Sequence, residues 1–283
     1  MNESLMPHAT PAAAPCEGVA VASRRQRRHI KPMYELGVFL AIWAAVYAVT
    51  VAMYFGQGYL LIWINNRHPE RRIQKNRRGE DRARLEIIQS LKSLIVTCGC
   101  LAGGLWLQWM GWTIWGQLEL TWLNAAIMFV VSIFLYDAWF YWGHRLMHWR
   151  PLYKHHFWHH RSVAPTVWSN YSDTLADAFA MQSYYLIAPI LLPIPAAVLC
   201  LHRLWDHING QIGHSGFEYF ADRTTRFPSP MVCVTFHDQH HEHFDYNYAN
   251  FFSFWDRLCG TWHPTYDSTV KTRGEDPSKI PAE

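Results

Sequence analysis

The 283-residue sequence is poor in charge: Asp, Glu, Lys and Arg together make up 17% of it, against about 25% in an average soluble domain. It has no Cys-x-x-Cys spacing among its six cysteines, and Cys98, Cys100, Cys200 and Cys233 sit in apolar surroundings. That usage reads as small buried hydrophobes in a reducing compartment and excludes a disulfide framework. It lacks a strong charge imbalance, since the formal net charge is only +3, which excludes a nucleic-acid partner. It also lacks His-Glu-x-x-His. The nearest approach, His241-Glu242-x-x-Asp245, has no second histidine, so the general base expected of a zinc-dependent membrane hydrolase is missing. No internal repeat of solenoid type is present, and strand signals are weak and short.

What is abundant is apolar and aromatic. Half of the residues are hydrophobic and 15 are tryptophan, while 17 histidines nearly match the 22 acidic residues. The composition is that of a membrane protein with a histidine-rich polar part. Residues 1–32 form a polar, basic segment without periodicity, expected to be disordered, ahead of one domain over 33–283. Arg24, Arg25, Arg27, Arg28 and Lys31 follow the Ala/Pro-rich stretch, and no small-residue cleavage site follows the first apolar run, so the segment is not a secretory signal.

Three apolar runs have the length of a membrane-spanning helix, roughly 20 residues. They are Met33 to about Phe55 (with an apolar continuation to Ile64), Leu94–Trp112 and Leu123–Trp142. Between the first two, nine Lys and Arg residues from Arg67 to Lys92 predict a cytoplasmic loop, whereas residues 113–122 carry none. Residues 143–182 regain Arg145, Arg150, Lys154 and Arg161 and are expected on the cytoplasmic side again. Counting three spans puts the amino terminus outside, against the preference of its five basic residues. A fourth run, Tyr184–Leu201, contains Pro189, Pro193 and Pro195 and predicts a broken, hairpin-like pair of segments. Such a hairpin brings residues 202–283 back beside 143–182. The predicted fold class is all-α: polytopic membrane helices with a cytosolic helical cap holding a histidine-ligated dimetal centre.

Thirteen of the 17 histidines lie between His144 and His243. Three groups have helical spacing: His144 with His148; His156, His159 and His160; and His237, His240 and His241. Spacings of three and four place side chains on one helical face a turn apart, as a metal site on a helix requires. His-x-x-His-His is expected about 0.06 times by chance at this histidine frequency, and it occurs twice. Eight imidazoles are too many for one ion, so two ions are the natural count. Neutral imidazole suits Fe, Zn, Cu or Ni, and no cysteine sits among the histidines to close a structural zinc site. His207 and His214 are further candidate ligands, while His155, His202 and His243 read as supporting or surface residues. Asp137, Asp173, Asp177, Asp206, Asp238 and Glu242 lie near enough in sequence to partner the outer ring nitrogens. Trp142, Trp149, Trp158 and Trp168 flank the first two groups and read as interfacial anchors or as the lining of a lipid tunnel. A metal transporter or binding protein is the rival of another class, but it would place ionisable groups within the spans.

Taken together, His144/His148, His156/His159/His160 and His237/His240/His241 resemble the motifs of the sterol desaturase and fatty acid hydroxylase superfamily of membrane di-iron enzymes. Tyr153-Lys154, His214-Ser215-Gly216, Asn247-Tyr248 and the closing Trp255-Asp256-Arg257-Leu258-Cys259-Gly260-Thr261 fit the same pattern, over about residues 120–262. The resemblance implies ten metal ligands, His144, His148, His156, His159, His160, His207, His214, His237, His240 and His241. It implies two iron ions, O2 as co-substrate, and hydroxylation or desaturation of a sterol, fatty-acyl or related lipid. Residues 1–32 are too short for a fused cytochrome b5 domain, so electrons are expected from a separate cytochrome b5-like or ferredoxin-like protein with its reductase. Where many members carry His-Pro-x-Glu or His-Pro-x-Asp after the second cluster, this chain has Asp173-Thr174-Leu175-Ala176-Asp177, a departure from strict sterol C5-desaturases.

Overall fold

The computed structural model describes residues 32–275. The expected disordered segment 1–32 therefore lies, apart from Pro32, outside the described residues. Two compact units divide the chain, Met1–Gly37 and Val38–Glu283. Of the first unit, residues 32–37 are described and open a helix; the second holds the rest of the described chain, including every histidine group.

The described residues form helices and no strand. The helices are α1 (Pro32–Asn65), α2 (Ala83–Met110), α3 (Trp122–Met147), α4 (Arg150–His160), α5 (Leu175–Gln182), α6 (Tyr184–Leu191), α7 (Ala196–Gly213), α8 (Val234–His243), α9 (Phe254–Cys259) and α10 (Tyr266–Glu275). Three of them, α1, α2 (with the turn that leads into it) and α3, are long and apolar enough to cross a membrane. The second starts well before the predicted Leu94: α2 opens at Ala83 and carries Arg84, Glu86 and Lys92 in its first turns.

Local chemistry sets the ends. Gly111, at φ 70°, takes the left-handed conformation that stops α2. Thr121 caps α3 by accepting from the Asn124 N–H at 3.2 Å, and Thr174 caps α5 from the Asp177 N–H at 3.2 Å. The proline-rich run is broken as expected, with Leu192–Pro195 separating α6 from α7. Residues 111–121 are knitted to that break: Ile114 N donates to Ile190 O and Leu118 N to Pro193 O, both at 3.0 Å. Gln108 Nε2 adds a bond to Ile194 O at 2.8 Å. Pro189 has no N–H, so the Tyr185 carbonyl one turn earlier loses its helical donor. That carbonyl lies against Gly104 of α2, where any Cβ would collide with it, and this lets α6 pack close on α2.

The path of the chain follows from these contacts. The beginning of α2 lies at one end, where buried Glu86 accepts from Ser162 Oγ at 2.6 Å and Thr166 Oγ1 at 2.8 Å. Helices α5 and α6 run along α2 to the far end, and α7 returns beside α3. The C-terminal ends of α3 and α7 therefore meet α4 and α8 at the same end, which joins the two histidine-bearing halves. The 66–82 loop is more than a charge signal. Arg77 bonds Asp238 at 2.8 Å and Glu242 at 2.7 Å, and Gln74 Nε2 reaches Asp238 Oδ1 at 2.7 Å, so the loop braces α8.

Candidate metal centre

Nine histidines converge in two groups. His144, His148, His156, His160 and His240 form one, and His159, His214, His237 and His241 the other; within each, one nitrogen per ring lies within 4.8 Å of all the rest. The allocation is not the one that spacing alone suggests. In each His-x-x-His-His run the two residues four apart share a group, and the histidine between them goes to the opposite group. His156 and His160 are joined by His240 from α8, while His237 and His241 are joined by His159 from α4. Successive helical residues point about 100° apart, so a run of three can address two ions.

Neighbouring Nε2 atoms are close: 3.0 Å for His144–His156 and His148–His160, 3.1 Å for His160–His240 and His237–His241, 2.9 Å for His214–His237 and 3.4 Å for His159–His214. The outer nitrogens decide what those contacts are. His144 Nδ1 faces Tyr248 O at 2.7 Å, His240 Nδ1 faces Tyr246 O at 2.6 Å and His214 Nδ1 faces Gly210 O at 2.7 Å. A carbonyl only accepts, so each of these Nδ1 atoms carries the proton and each Nε2 presents a lone pair. His156 Nδ1 meets Asp177 Oδ2 at 2.7 Å and His159 Nδ1 meets Asp173 Oδ1 at 2.8 Å, the carboxylate–histidine pairing of metal sites. Facing lone pairs repel unless a cation lies between them. Two nitrogens bound at about 2.1 Å and at right angles on one ion would stand about 3.0 Å apart. The donor set thus fits two cations.

Charge is unwelcome on most of these rings. Burial, reinforced by the neighbouring imidazoles, holds His148 down to about 2 and His156 and His214 down to about 3, from an ordinary value of 6.5. His160, His237, His240 and His241 are pushed well below it for the same reasons. His159 runs the other way: burial pulls it down, but the Asp173 carboxylate outweighs that and raises it.

Of the ten candidate ligands, the structure brings nine together. His207 stands apart from both groups, its Nδ1 2.8 Å from the Tyr171 hydroxyl. The carboxylates divide as well. Only Asp173 and Asp177 meet clustered histidines, whereas Asp137 accepts the N–H groups of Phe251 and Phe252 at 2.7 and 3.2 Å. Asp206 pairs with Arg203, and Asp238 and Glu242 with Arg77. His202 bonds Ser132 Oγ at 2.7 Å, and His243 stacks on His263 at 4.5 Å between ring centroids.

The closing Trp255–Thr261 segment acts through the backbone. Asp256 accepts from Tyr248 N at 2.8 Å, Ala249 N at 2.9 Å and Thr261 Oγ1 at 2.8 Å. Asn247, at φ 58°, donates from Nδ2 to Phe236 O at 2.9 Å and accepts from His263 N at 2.7 Å. Together they fix the turn that carries the Tyr246 and Tyr248 carbonyls to His240 and His144.

A cavity of about 590 Å³ borders both groups, touching His144 and His156 of one and His159, His214 and His237 of the other. Phe129, Ile133, Phe140, Met181 and Phe251 line it, with exposed Val130, Phe134 and Trp205 beside α3 and α7. None of Trp142, Trp149, Trp158 and Trp168 lines it. Trp168 is buried against Tyr54, and Trp142 and Trp149 are exposed elsewhere. Sequence reasoning missed Gln182, Tyr136 and Asn250 on its wall, which no spacing pattern announces.

Residues 129–261 match the fatty acid hydroxylase family. The chain is 31% identical to the lathosterol oxidase of Rattus norvegicus over 154 residues, 53% of this chain and 50% of that one. It is 31% identical to a Delta(7)-sterol 5(6)-desaturase of Leptosphaeria maculans over 137 residues, 48% of this chain and 36% of that one. A Delta(7)-sterol 5(6)-desaturase of Aspergillus fumigatus is 27% identical over 251 residues, 86% of this chain and 70% of that one. The chain spans about half the length of the lathosterol oxidases it matches. No solved structure matches it significantly. The matched residues are the ones that build both histidine groups, and over them the chain is similar to the fatty acid hydroxylase family, with sterol oxidases and desaturases among its relatives.

Proposed function

We propose that the protein is an O2-dependent di-iron oxidoreductase that hydroxylates or desaturates an unactivated C–H position of a membrane lipid. The observation that carries this reading is the juxtaposition of two all-imidazole groups with an apolar cavity bordered by a membrane-length helix. The nine clustered histidines would hold the two irons, and the irons would supply oxidation of the C–H bond by O2. The chain itself does the rest. Asp177 and Asp173 hold the Nδ1 protons of His156 and His159, which keeps each Nε2 lone pair turned inward. Phe129, Ile133, Phe140 and Met181 exclude water and take the alkyl part of the lipid. The exposed apolar rim at Val130, Phe134 and Trp205 supports entry of the lipid sideways from the bilayer.

The density of Lys and Arg in residues 66–92 supports a cytoplasmic position for the histidine end of a multi-pass protein. There, exposed Arg145, Arg150, Lys154 and Arg161 form a cationic surface beside α4 that suits an acidic, separate electron donor of cytochrome b5 or ferredoxin type. The test is metal content of the detergent-purified protein from iron-replete cells, followed by oxygen uptake and lipid profiling. About two irons per chain, lost when His240 and His241 are changed to Ala, support the reading. Stoichiometric zinc that iron does not replace, with no oxygen uptake under any reductant, overturns it in favour of a hydrolase or metal-binding protein.

A further inference from the structure

Between Arg226 and His237 the chain runs for ten residues, 227–236, without a charged side chain. A run of that length is too short to cross a bilayer and suits a re-entrant or interfacial segment. Its opening residues are apolar yet turned outward: Phe227 is 63% and Met231 47% exposed, with Pro228 and Pro230 exposed between them. Residues 246–255 are also uncharged, and Phe254 among them is 53% exposed.

The two stretches lie side by side against α3. Met231 bridges to Phe252, and Ser253 N donates to Pro230 O at 2.6 Å. The Phe252 ring stacks on Phe134 of α3 at 4.8 Å between centroids. Phe134 precedes Trp142, where the apolar run of α3 ends, by eight residues, about 12 Å of helical rise. The outward face of α3 at that level is apolar, with Ile127, Val130, Val131 and Phe134 exposed. The backbone is provisioned for a site poor in water, where a polar group left without a partner is costly. Pro228 and Pro230 have no N–H, Phe227 N donates to Asp267 Oδ1 at 2.9 Å, and Ser229 N to Arg226 O at 3.0 Å. Phe251 N and Phe252 N both reach Asp137 Oδ1. This gives a buried carboxylate in the middle of a membrane-length helix its purpose.

We propose that residues 228–231 and 252–254 form a paired tip that dips from the histidine-bearing end into the bilayer beside α3, with lipid acyl chains as its partner. Asp137 anchors the tip to α3, and Arg223 and Arg226 precede it at the level of the headgroups, where a guanidinium finds phosphate. Met231, Val232 and Phe252 also border the cavity, so the tip forms one lip of its mouth. The inference rests on α3 crossing the bilayer and is independent of the lipid-oxidase reading.

Photo-crosslinking of the full-length protein in phosphatidylcholine nanodiscs tests this. The photoreactive residue p-benzoylphenylalanine replaces Met231 or Phe254 at the tip, Ile127 on the outward face of α3, or Asp245, exposed on the loop after α8, one position at a time. Mass spectrometry then counts lipid adducts. Met231 and Phe254 should each give about tenfold more lipid adduct than Asp245 and come within about threefold of Ile127, because acyl chains surround them. Either tip position serves should the other variant not fold. Adducts at the tip no more frequent than at Asp245, or cross-links there to a second copy of the chain in place of lipid, overturn the proposal. Absence of adduct at Ile127 as well takes α3 out of the bilayer and overturns it too.

Discussion

The carbonyl oxygen of Tyr248 lies 2.7 Å from Nδ1 of His144, two residues 104 positions apart in the chain. That contact fixes the tautomer of a clustered histidine from a turn that is itself held by Asp256. Changing Asp256 to Ala strands the N–H groups of Tyr248 and Ala249, both buried. The expected cost is about 2–4 kcal/mol of stability, together with weaker metal retention in the group containing His144 and His240. Thermal melting with metal analysis on the same preparation checks it, and unchanged metal content at normal stability contradicts the role assigned to the turn.

Asp177 pairs directly with His156, at 2.7 Å. Asp177→Asn keeps the shape and removes the charge, so metal affinity should fall roughly 10- to 100-fold with little change in fold. Metal titration of the apo protein measures this, and an affinity equal to wild type would show that the carboxylate does not orient the ring.

His144 of α3 and His148 just after it serve one group only, and His214 after α7 serves only the other. The double change of His144 and His148 to Ala, and separately His214→Ala, should each lower metal content from about two ions to about one per chain. Retention of both ions in either variant would mean that the groups are not the two binding sites.

Acid should unfold the metal-free protein early. His148, His156 and His214 are held neutral in the folded chain, at about 2, 3 and 3, against 6.5 for an ordinary histidine. Below about pH 6.5 the unfolded chain binds more protons than the folded one, so stability falls with falling pH, down toward pH 3. His159, raised by Asp173, and the carboxyls of Asp177 and Asp256, which burial raises to about 7 and about 6, oppose this and are outnumbered. Bound metal competes with the protons and should move the loss to lower pH. Melting curves of apo and metal-loaded protein between pH 8 and 4 check the sign. A flat apo profile would contradict it.

Much of this centre is written in local spacing. The histidines of α4 and α8 announce themselves because three- and four-residue intervals are a helix's own period, and the proline-rich break between α6 and α7 follows from missing N–H groups. What spacing cannot show is tertiary. His207 and His214 both follow the period on α7, yet only His214, at the end of the helix, reaches a group. Asp173 and Asp177 differ from Asp137 only in what the fold sets opposite them. Gln182 carries no pattern at all, since it reaches the Tyr136 hydroxyl only through the packing of α5 on α3. Arg77 counts toward a topological charge signal while also bracing α8.

The exchange of one histidine between α4 and α8 has a consequence for how this centre tolerates change. A point substitution at one histidine removes one ligand from one group. Deleting a single residue inside either helix turns everything beyond it by about 100°. Because each helix feeds both groups, that one event would misdirect histidines of both groups at once. The spacing within these two helical segments is therefore as much a part of the centre as the histidines themselves.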